Sequence, residues 1–298
     1  MSFNTYLKAV GTGPKGNRDL SFDESYDMMQ HILKQDIYSE QISAFLLGWR
    51  LKPETIEEFQ GALSACESFL KKEHIENSIL LGYPFDGKAK NPYLLPHVAS
   101  LLKKEDLNLV VVGDDVQPAK KGVTIQDIFP HVTCHANTTY FERKECFKEL
   151  HNLTQIRTRL GLRSGFNTIE KLLNFAESEY AITGVFHKPY VKKYKEIFAD
   201  KYKRFALIQG NEGGPEIFKK GTLWITENNI TKEYIVDPAY YGVHREKSTE
   251  NFSLADSVEH IKNPSKECLQ LAKINAAVYL FVSNKAKSID EAYERLRY

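Results

Sequence analysis

The sequence predicts an α/β protein: a small helical domain attached to a larger domain whose mainly parallel sheet is flanked by helices. Three observations predict it. Residues 21–72 carry apolar positions at helical spacing, with repeated helix-start signals. From residue 78 onward, short apolar or β-branched runs closed by glycine alternate with helical patterns. An apolar fraction of 42% over 298 residues is enough for a full core.

In "SFDESYDMMQHILKQ", Ser21 stands three residues before Glu24, a capping box, and Tyr26, Met29, Ile32 and Leu33 follow at helical spacing. "SEQISAFLLGWRL" opens on Ser39 with Glu40 in its first turn. "KPETIEEFQGALSACESFLKK" starts with Pro53, tolerated at a helix start, and with acidic residues that suit the helix dipole. The strands are then "SILLGY", "LNLVVVGDD", "YAITGVF", "RFALIQGNEGG" and "GTLWITENN". Helices are expected between several of them: "LLPHVASLLKKE", "RKECFKELHNLTQIRTRLG", "NTIEKLLNFAES" and "KPYVKKYKEIFADKYK". The last helix is "PSKECLQLAKINAAVYLFVSN".

Composition removes several function classes. No stretch approaches the ~20 apolar residues that span a bilayer, and the N-terminus lacks a signal-peptide core. Cys66, Cys134, Cys146 and Cys268 are scattered without a CxxC pair, which favours reduced thiols in a cytoplasmic protein over disulfides or a thiolate metal site. Among the nine histidines, His131 and His135 are four apart but follow Pro130 in an irregular run, a poor zinc pattern. No nucleophile elbow or triad order is present.

The stretch "LLGYPFDGKAKNPYLLP", Leu80 to Pro96, has the outline of a phosphate-binding loop and the wrong contents. It follows an apolar run and carries Gly82 and Gly87, yet it holds Pro84, Pro92 and Pro96, which have no N–H to offer. Tyr83, Phe85 and Tyr93 are expected to plug the pocket, with Lys88 and Lys90 as the alternative phosphate contacts.

In order, these segments resemble the anthranilate phosphoribosyltransferase family, also described as glycosyl transferase family 3. The resemblance rests on "LSFDESYDMMQHILKQDIYSEQISAFLLGWRLKPETIEEFQGAL", on "LGLRSGFNTIEKLLN" and on "INAAVYLF". It implies a homodimer formed through the helical part, and helices at 1–72 with a returning segment near 155–178. The α/β domain would then span 73–154 and 179–298. Family members that transfer phosphoribose hold pyrophosphate in a Gly-Thr-Gly-Gly-Asp loop followed by Asn-Ile-Ser-Thr. The matching places here are Gly82 to Gly87, with Asp86, and Asn91-Pro92-Tyr93-Leu94. A Lys-His-Gly-Asn-Arg run is matched by Val111-Val112-Gly113-Asp114-Asp115, replacing cations by apolar and acidic groups that would repel pyrophosphate. Of the family's magnesium-associated Asp-Glu pair, Pro215 takes the first place and only Glu216 remains. The closer resemblance is to a TrpD-like branch outside the tryptophan pathway, which shares "KNPYLLP" and "QGNEGGPE". That branch is described as homodimers that bind nucleic acid with little sequence preference.

Charge is uneven along the chain. Between Phe141 and Arg204, 14 Lys or Arg stand against 8 Asp or Glu, in a chain whose net charge is +1. Lys188, Lys192, Lys193, Lys195, Lys201, Lys203 and Arg204 are interleaved with Tyr190, Tyr194 and Tyr202. On a helix, Lys188, Lys192 and Lys195 share one face that can track phosphates, while the tyrosines can stack on bases. The alternative is a solvated amphipathic helix with Tyr194, Ile197 and Phe198 buried. Arg157, Arg159 and Arg163, with Lys171, form a second cluster; its alternative is a hinge salt bridge to Glu170. "GTGPKGN", with Lys15 and the nearby Arg18, is expected to be a flexible arm.

The expectation is therefore a non-catalytic cytoplasmic homodimer that binds DNA or RNA through backbone phosphates, with no cofactor. The alternative is a glycosyl or phosphoribosyl transferase in which Asp86, Lys88, Asn91 and Glu216 serve what is left of donor and magnesium binding.

Overall fold

The computed structural model describes residues 2–131, 136–186, 188–244 and 251–297. Cys134 and His135 lie outside the described residues. Four helices open the chain: α1 Asn4–Gly11, α2 Phe22–Lys34, α3 Ser39–Leu51 and α4 Ile56–Glu67. Both arms of the Ser21–Glu24 capping box form at the start of α2. Pro53 lies outside α4, which starts instead at a second capping box made by Thr55 and Glu58. A threonine oxygen satisfies an amide of the first turn, so it wins over proline in setting the boundary.

β1 Ser78–Gly82, α5 Leu95–Leu102, β2 Asn108–Gly113, α6 Ile125–Ile128 and β3 Thr138–Glu142 follow. The single helix expected after Arg143 is three short ones, α7 Arg143–Cys146, α8 Lys148–Asn152 and α9 Thr154–Leu160. Phe147 leaves helical geometry at φ −152° and buries its ring, which breaks the first from the second. Next come α10 Phe166–Ile169, β4 Tyr180–Val185, α11 Lys188–Phe198, β5 Arg204–Gln209, β6 Gly221–Glu227 and β7 Ile230–Val236. α12 Leu254–Lys262, α13 Lys266–Val282 and α14 Ile289–Arg295 end the chain.

The sheet runs β3-β2-β1-β4-β5-β6-β7. Its first five strands are parallel and the last two antiparallel. Parallel strands covered on both faces read as continuous apolar runs, which is why β1, β2, β4 and β5 are plain in the sequence. The edge strands β3 and β7 mix polar with apolar residues and are only partly buried, and the sequence reading does not contain them.

Two apolar clusters lie on opposite sheet faces. Leu80, Val110, Ala181 and Phe205 face the first, with α1–α4 and the rings of Phe147, Phe166 and Phe175. Ile79, Leu81, Leu109 and Ile182 face the second, against α5 and α13. Phe147, Leu150 and Leu153 join the opening helices in the first cluster. Among the described residues no helix is long and apolar enough to cross a membrane. Cys66, Cys146 and Cys268 are buried.

Candidate functional site

The loop after β1 is filled by its own side chains. Tyr83, Phe85, Asp86, Lys88 and Tyr93 are all buried. The Lys88 ammonium pairs with Glu216 and donates to the Pro92 carbonyl at 2.6 Å. The other Glu216 oxygen accepts from the Tyr83 hydroxyl and the Leu94 amide, each at 2.7 Å. Lys88 therefore does not reach a ligand, correcting its place as a phosphate contact, and Glu216 has both oxygens engaged. Gly87 is obligatory: its φ is +77°, and a Cβ there would sit 2.3 Å from the Gly122 backbone. Gly113 is covered by the Tyr140 ring, and Gly82 is closed in by Thr183 and the Lys171 carbonyl.

The amides of this loop are not idle. Glu212 accepts from the Ala89 N–H at 2.7 Å, the Lys90 N–H at 3.1 Å and the Asn91 side-chain amide at 3.0 Å. A carboxylate of the chain thus occupies a cluster of donors suited to an anion. Burial alone would raise the Glu212 carboxyl, but these donors, with the Lys88 and Lys120 charges, hold it below its usual range. Glu212→Ala is expected to speed hydrogen exchange at the Ala89 and Lys90 amides by at least roughly tenfold, the loss of about 1.4 kcal/mol of local protection. Unchanged exchange measured by mass spectrometry would refute this account of the loop.

Between the helical unit and the sheet lies a cleft of about 610 Å³. β1 delivers Asp86 to it, the segment after α9 delivers Arg163, and the turn after α10 delivers Lys171. The Arg163 guanidinium holds Asp86 through two nitrogens, at 2.5 and 3.1 Å, and the Lys120 ammonium lies 3.4 Å from the other Asp86 oxygen. Arg50 and Lys193 also line the cleft, as do the exposed rings of Phe186 and Tyr190. Burial pushes the Glu54 carboxyl up, although Lys193 stands 3.7 Å away.

Behind this cleft, Glu170 is fully enclosed and joins Arg143 at 2.7 Å to Arg157 at 2.7 and 2.8 Å. Arg143 also pairs with Asp114, which the His151 ring reaches at 2.6 Å. Asp114 is therefore neutralised within the protein and does not project the repulsive charge read from the sequence. Asp114, Asp115 and His151 bring possible metal ligands within 4.8 Å of one another, but a cation there would face the Arg143 guanidinium.

The expected basic surface is smaller than the sequence suggests. Arg157 and Arg204 are buried, so neither meets a phosphate; Arg157 is spent on Glu170, and Arg204 donates to the Phe281 carbonyl at 3.1 Å. Lys193 turns inward to Glu54 and the Phe59 ring. Lys201 pairs with Glu67 at 2.6 Å and Lys203 with Glu179 at 3.5 Å. Lys188 and Lys192 stay exposed with loose partners, Glu233 at 4.0 Å and Glu196 at 3.8 Å. Lys195 is half-buried and Arg159 exposed. Tyr194, Ile197 and Phe198 form the buried side of α11.

Sequence models for two parts of one family match this chain: the helical bundle domain of the glycosyl transferase family over residues 4–69, and its a/b domain over residues 132–298. The chain belongs to the glycosyl transferase family. It is 29% identical over 292 residues to an uncharacterized protein of Aquifex aeolicus (strain VF5), covering 94% of this chain and 93% of that protein. It is 26% identical over 322 residues to the anthranilate phosphoribosyltransferase of Petrotoga mobilis, covering 97% and 90%. Among solved structures, the fold is shared with anthranilate phosphoribosyltransferase (TrpD) from Thermus thermophilus, at TM-score 0.77 and 13% identity over 98% of this chain and 92% of that one. The enzyme from Saccharomyces cerevisiae in complex with PRPP and Mg gives TM-score 0.77 and 16% identity, over the same shares.

In this glycosyl transferase family member the residues available do not fit a magnesium site. Pro215 offers no carboxylate, and Glu216 is bound on both oxygens by Lys88, Tyr83 and Leu94. Sequence reasoning missed Arg143, Lys120 and Phe186. Arg143 sits in a run read as one amphipathic helix, and Lys120 in a loop without a motif. Glu212 was legible only as part of "QGNEGGPE"; its partners lie some 120 positions away.

Proposed function

We propose that this family member binds nucleic acid as a homodimer, holding backbone phosphates along α11 and stacking unpaired bases at the mouth of the cleft. The observation that carries the reading is the placement of two aromatic rings, Phe186 at 50% and Tyr190 at 45% exposure, beside Arg50, Arg163 and Lys193. Exposed rings are costly beside water and useful to a stacked base, and cations next to them suit its phosphate. The packed loop after β1 supports a non-catalytic role, since the Ala89 and Lys90 amides within it are already taken by Glu212.

Anisotropy with a labelled single-stranded oligonucleotide tests this. Binding is expected to fall steeply between about 50 and 200 mM salt and to vary little with sequence. Reversing Lys188, Lys192 and Lys195 to Glu should weaken it and flatten the salt slope by about 1 for each phosphate no longer neutralised. Phe186→Ala with Tyr190→Ala should cost about 1–3 kcal/mol per stacked base. Binding that survives the charge reversals unchanged would overturn the assignment of this surface.

One observation favours a second reading. The cleft still lies between helical unit and sheet, with Arg163 and Lys120 beside Asp86, and a solved protein of the same fold holds PRPP and Mg. Tight, magnesium-dependent binding of PRPP in a calorimeter would restore a transferase role.

A further inference from the structure

We propose that Lys171 is a nucleophilic amine of the cleft, placed to form an imine with an aldehyde that carries a phosphate. The part of this that concerns a nucleic-acid strand rests on the function proposed above; the amine itself does not.

The surroundings of Lys171 carry the argument. It follows α10 in the short turn Glu170–Leu172 and lines the cleft. Its nitrogen meets two carbonyl oxygens, Gly184 at 2.9 Å and Gly213 at 3.3 Å, and stands 5.1 Å from the Tyr194 ring. Those carbonyls converge because Gly184 lets the Gly213–Gly214 turn close onto β4; a Cβ at Gly184 would lie 2.4 Å from the Gly214 carbonyl oxygen. No described carboxylate pairs with Lys171. Asp86 is held by Arg163 and Lys120, and Glu170 by Arg143 and Arg157, so both neighbouring acids are already neutralised. The other charges lining the cleft are Arg50, Glu54, Lys193 and Glu212. Glu54 faces Lys193, and Glu212 faces the loop amides. A neutral amine has two N–H groups, which match the two carbonyls, and keeps a lone pair.

Burial opposes the ammonium form, the Lys120 and Arg163 charges add to it, and together they bring Lys171 down to about 7 despite Asp86 and Glu170. An ordinary lysine is neutral to only about one part in a thousand at pH 7.5. The ligand class follows from what surrounds the amine. Arg163, 39% exposed, offers a guanidinium to a phosphate, and the cleft admits a small sugar. In the reaction the nitrogen lone pair forms the C–N bond to the aldehyde carbon. The carbonyl oxygen then leaves as water, taking both amine protons, and no oxidant or reductant is needed. An aldehyde beside a phosphate occurs in an open-chain sugar phosphate and at an abasic position of a nucleic-acid strand.

The test uses the full chain at about pH 7.5 with sodium cyanoborohydride, in two arms: ribose 5-phosphate, and a single-stranded oligonucleotide with one abasic site. Peptide mass spectrometry should place the reduced adduct on Lys171, forming more than roughly tenfold faster than on any exposed lysine. Labelling should rise to half its maximum near pH 7 and vanish in Lys171→Arg, which removes the amine nucleophile. The wild-type adduct map and pH profile decide the matter even if that variant does not fold. Adducts spread over surface lysines, or none in either arm, would overturn the proposal. An intact oligonucleotide that binds while no adduct forms refutes the amine and spares the nucleic-acid reading. An adduct from ribose 5-phosphate without any strand binding does the reverse.

Discussion

Glu170→Ala is expected to lower stability by about 3–5 kcal/mol, read as a fall in the denaturant midpoint. The carboxylate is the shared partner of Arg143 and Arg157, which are 0% and 1% exposed. Removing it leaves two guanidiniums enclosed beside the rings of Phe85 and Phe166 with no counter-charge but Asp114. Glu170→Gln keeps the shape and one acceptor oxygen and should lose less. A loss under about 1 kcal/mol for the alanine variant would mean that the guanidiniums reach solvent.

The same residue sets a pH dependence. Burial would raise the Glu170 carboxyl, but Arg157 and Arg143 outweigh it and hold it below its usual range. A carboxyl depressed in the folded state stabilises fully above its unfolded value, about 4.3, and loses that contribution as pH falls through the folded one. Wild type should therefore lose stability as the solution is made acidic below about pH 4.3, and Glu170→Gln should show a shallower acid limb. Parallel acid limbs for the two proteins would show that Glu170 is not a source of that loss.

The second large effect is expected at Lys88. Lys88→Met leaves the Glu216 carboxylate buried with only the Tyr83 hydroxyl and the Leu94 amide, and should cost about 3–5 kcal/mol. Lys88→Met combined with Glu216→Gln removes both charges and should recover part of that loss. Equal losses in the single and double variants would show that shape, and not charge, makes the loop depend on this pair. Locked to each other, Lys88 and Glu216 also hold the two rings of the loop, Tyr83 by its hydroxyl on Glu216 and Tyr93 with its ring 4.6 Å from the ammonium.

Much of the scaffold is written locally. Ser21 and Glu24 fix the start of α2 within four residues, and the short apolar run Ile79, Leu80 and Leu81, closed by Gly82, suits a strand covered on both faces. Aromatic and proline residues in the loop after β1 mark it as packing, because bulk and missing amides are local properties. Burial of Tyr194, Ile197 and Phe198 follows in the same way from helical spacing. The α/β architecture and the helical unit needed no more than such patterns.

What each charge does could not be settled that way. Arg157, Arg163 and Arg204 look alike in one dimension, yet one is enclosed by Glu170, one rests on Asp86 at the cleft, and one is buried against Phe281. Partners 13, 77 and 77 positions away decided those fates. Glu212 meets the amides of Ala89 and Lys90 across 123 and 122 positions of sequence. The sequence alone determined the helices α2 to α4, the apolar strands β1, β2, β4, β5 and β6, and that the loop after β1 is crowded. Tertiary structure decided which ions are neutralised and which face the cleft, because Coulomb energy and desolvation depend on distance through space and not along the chain.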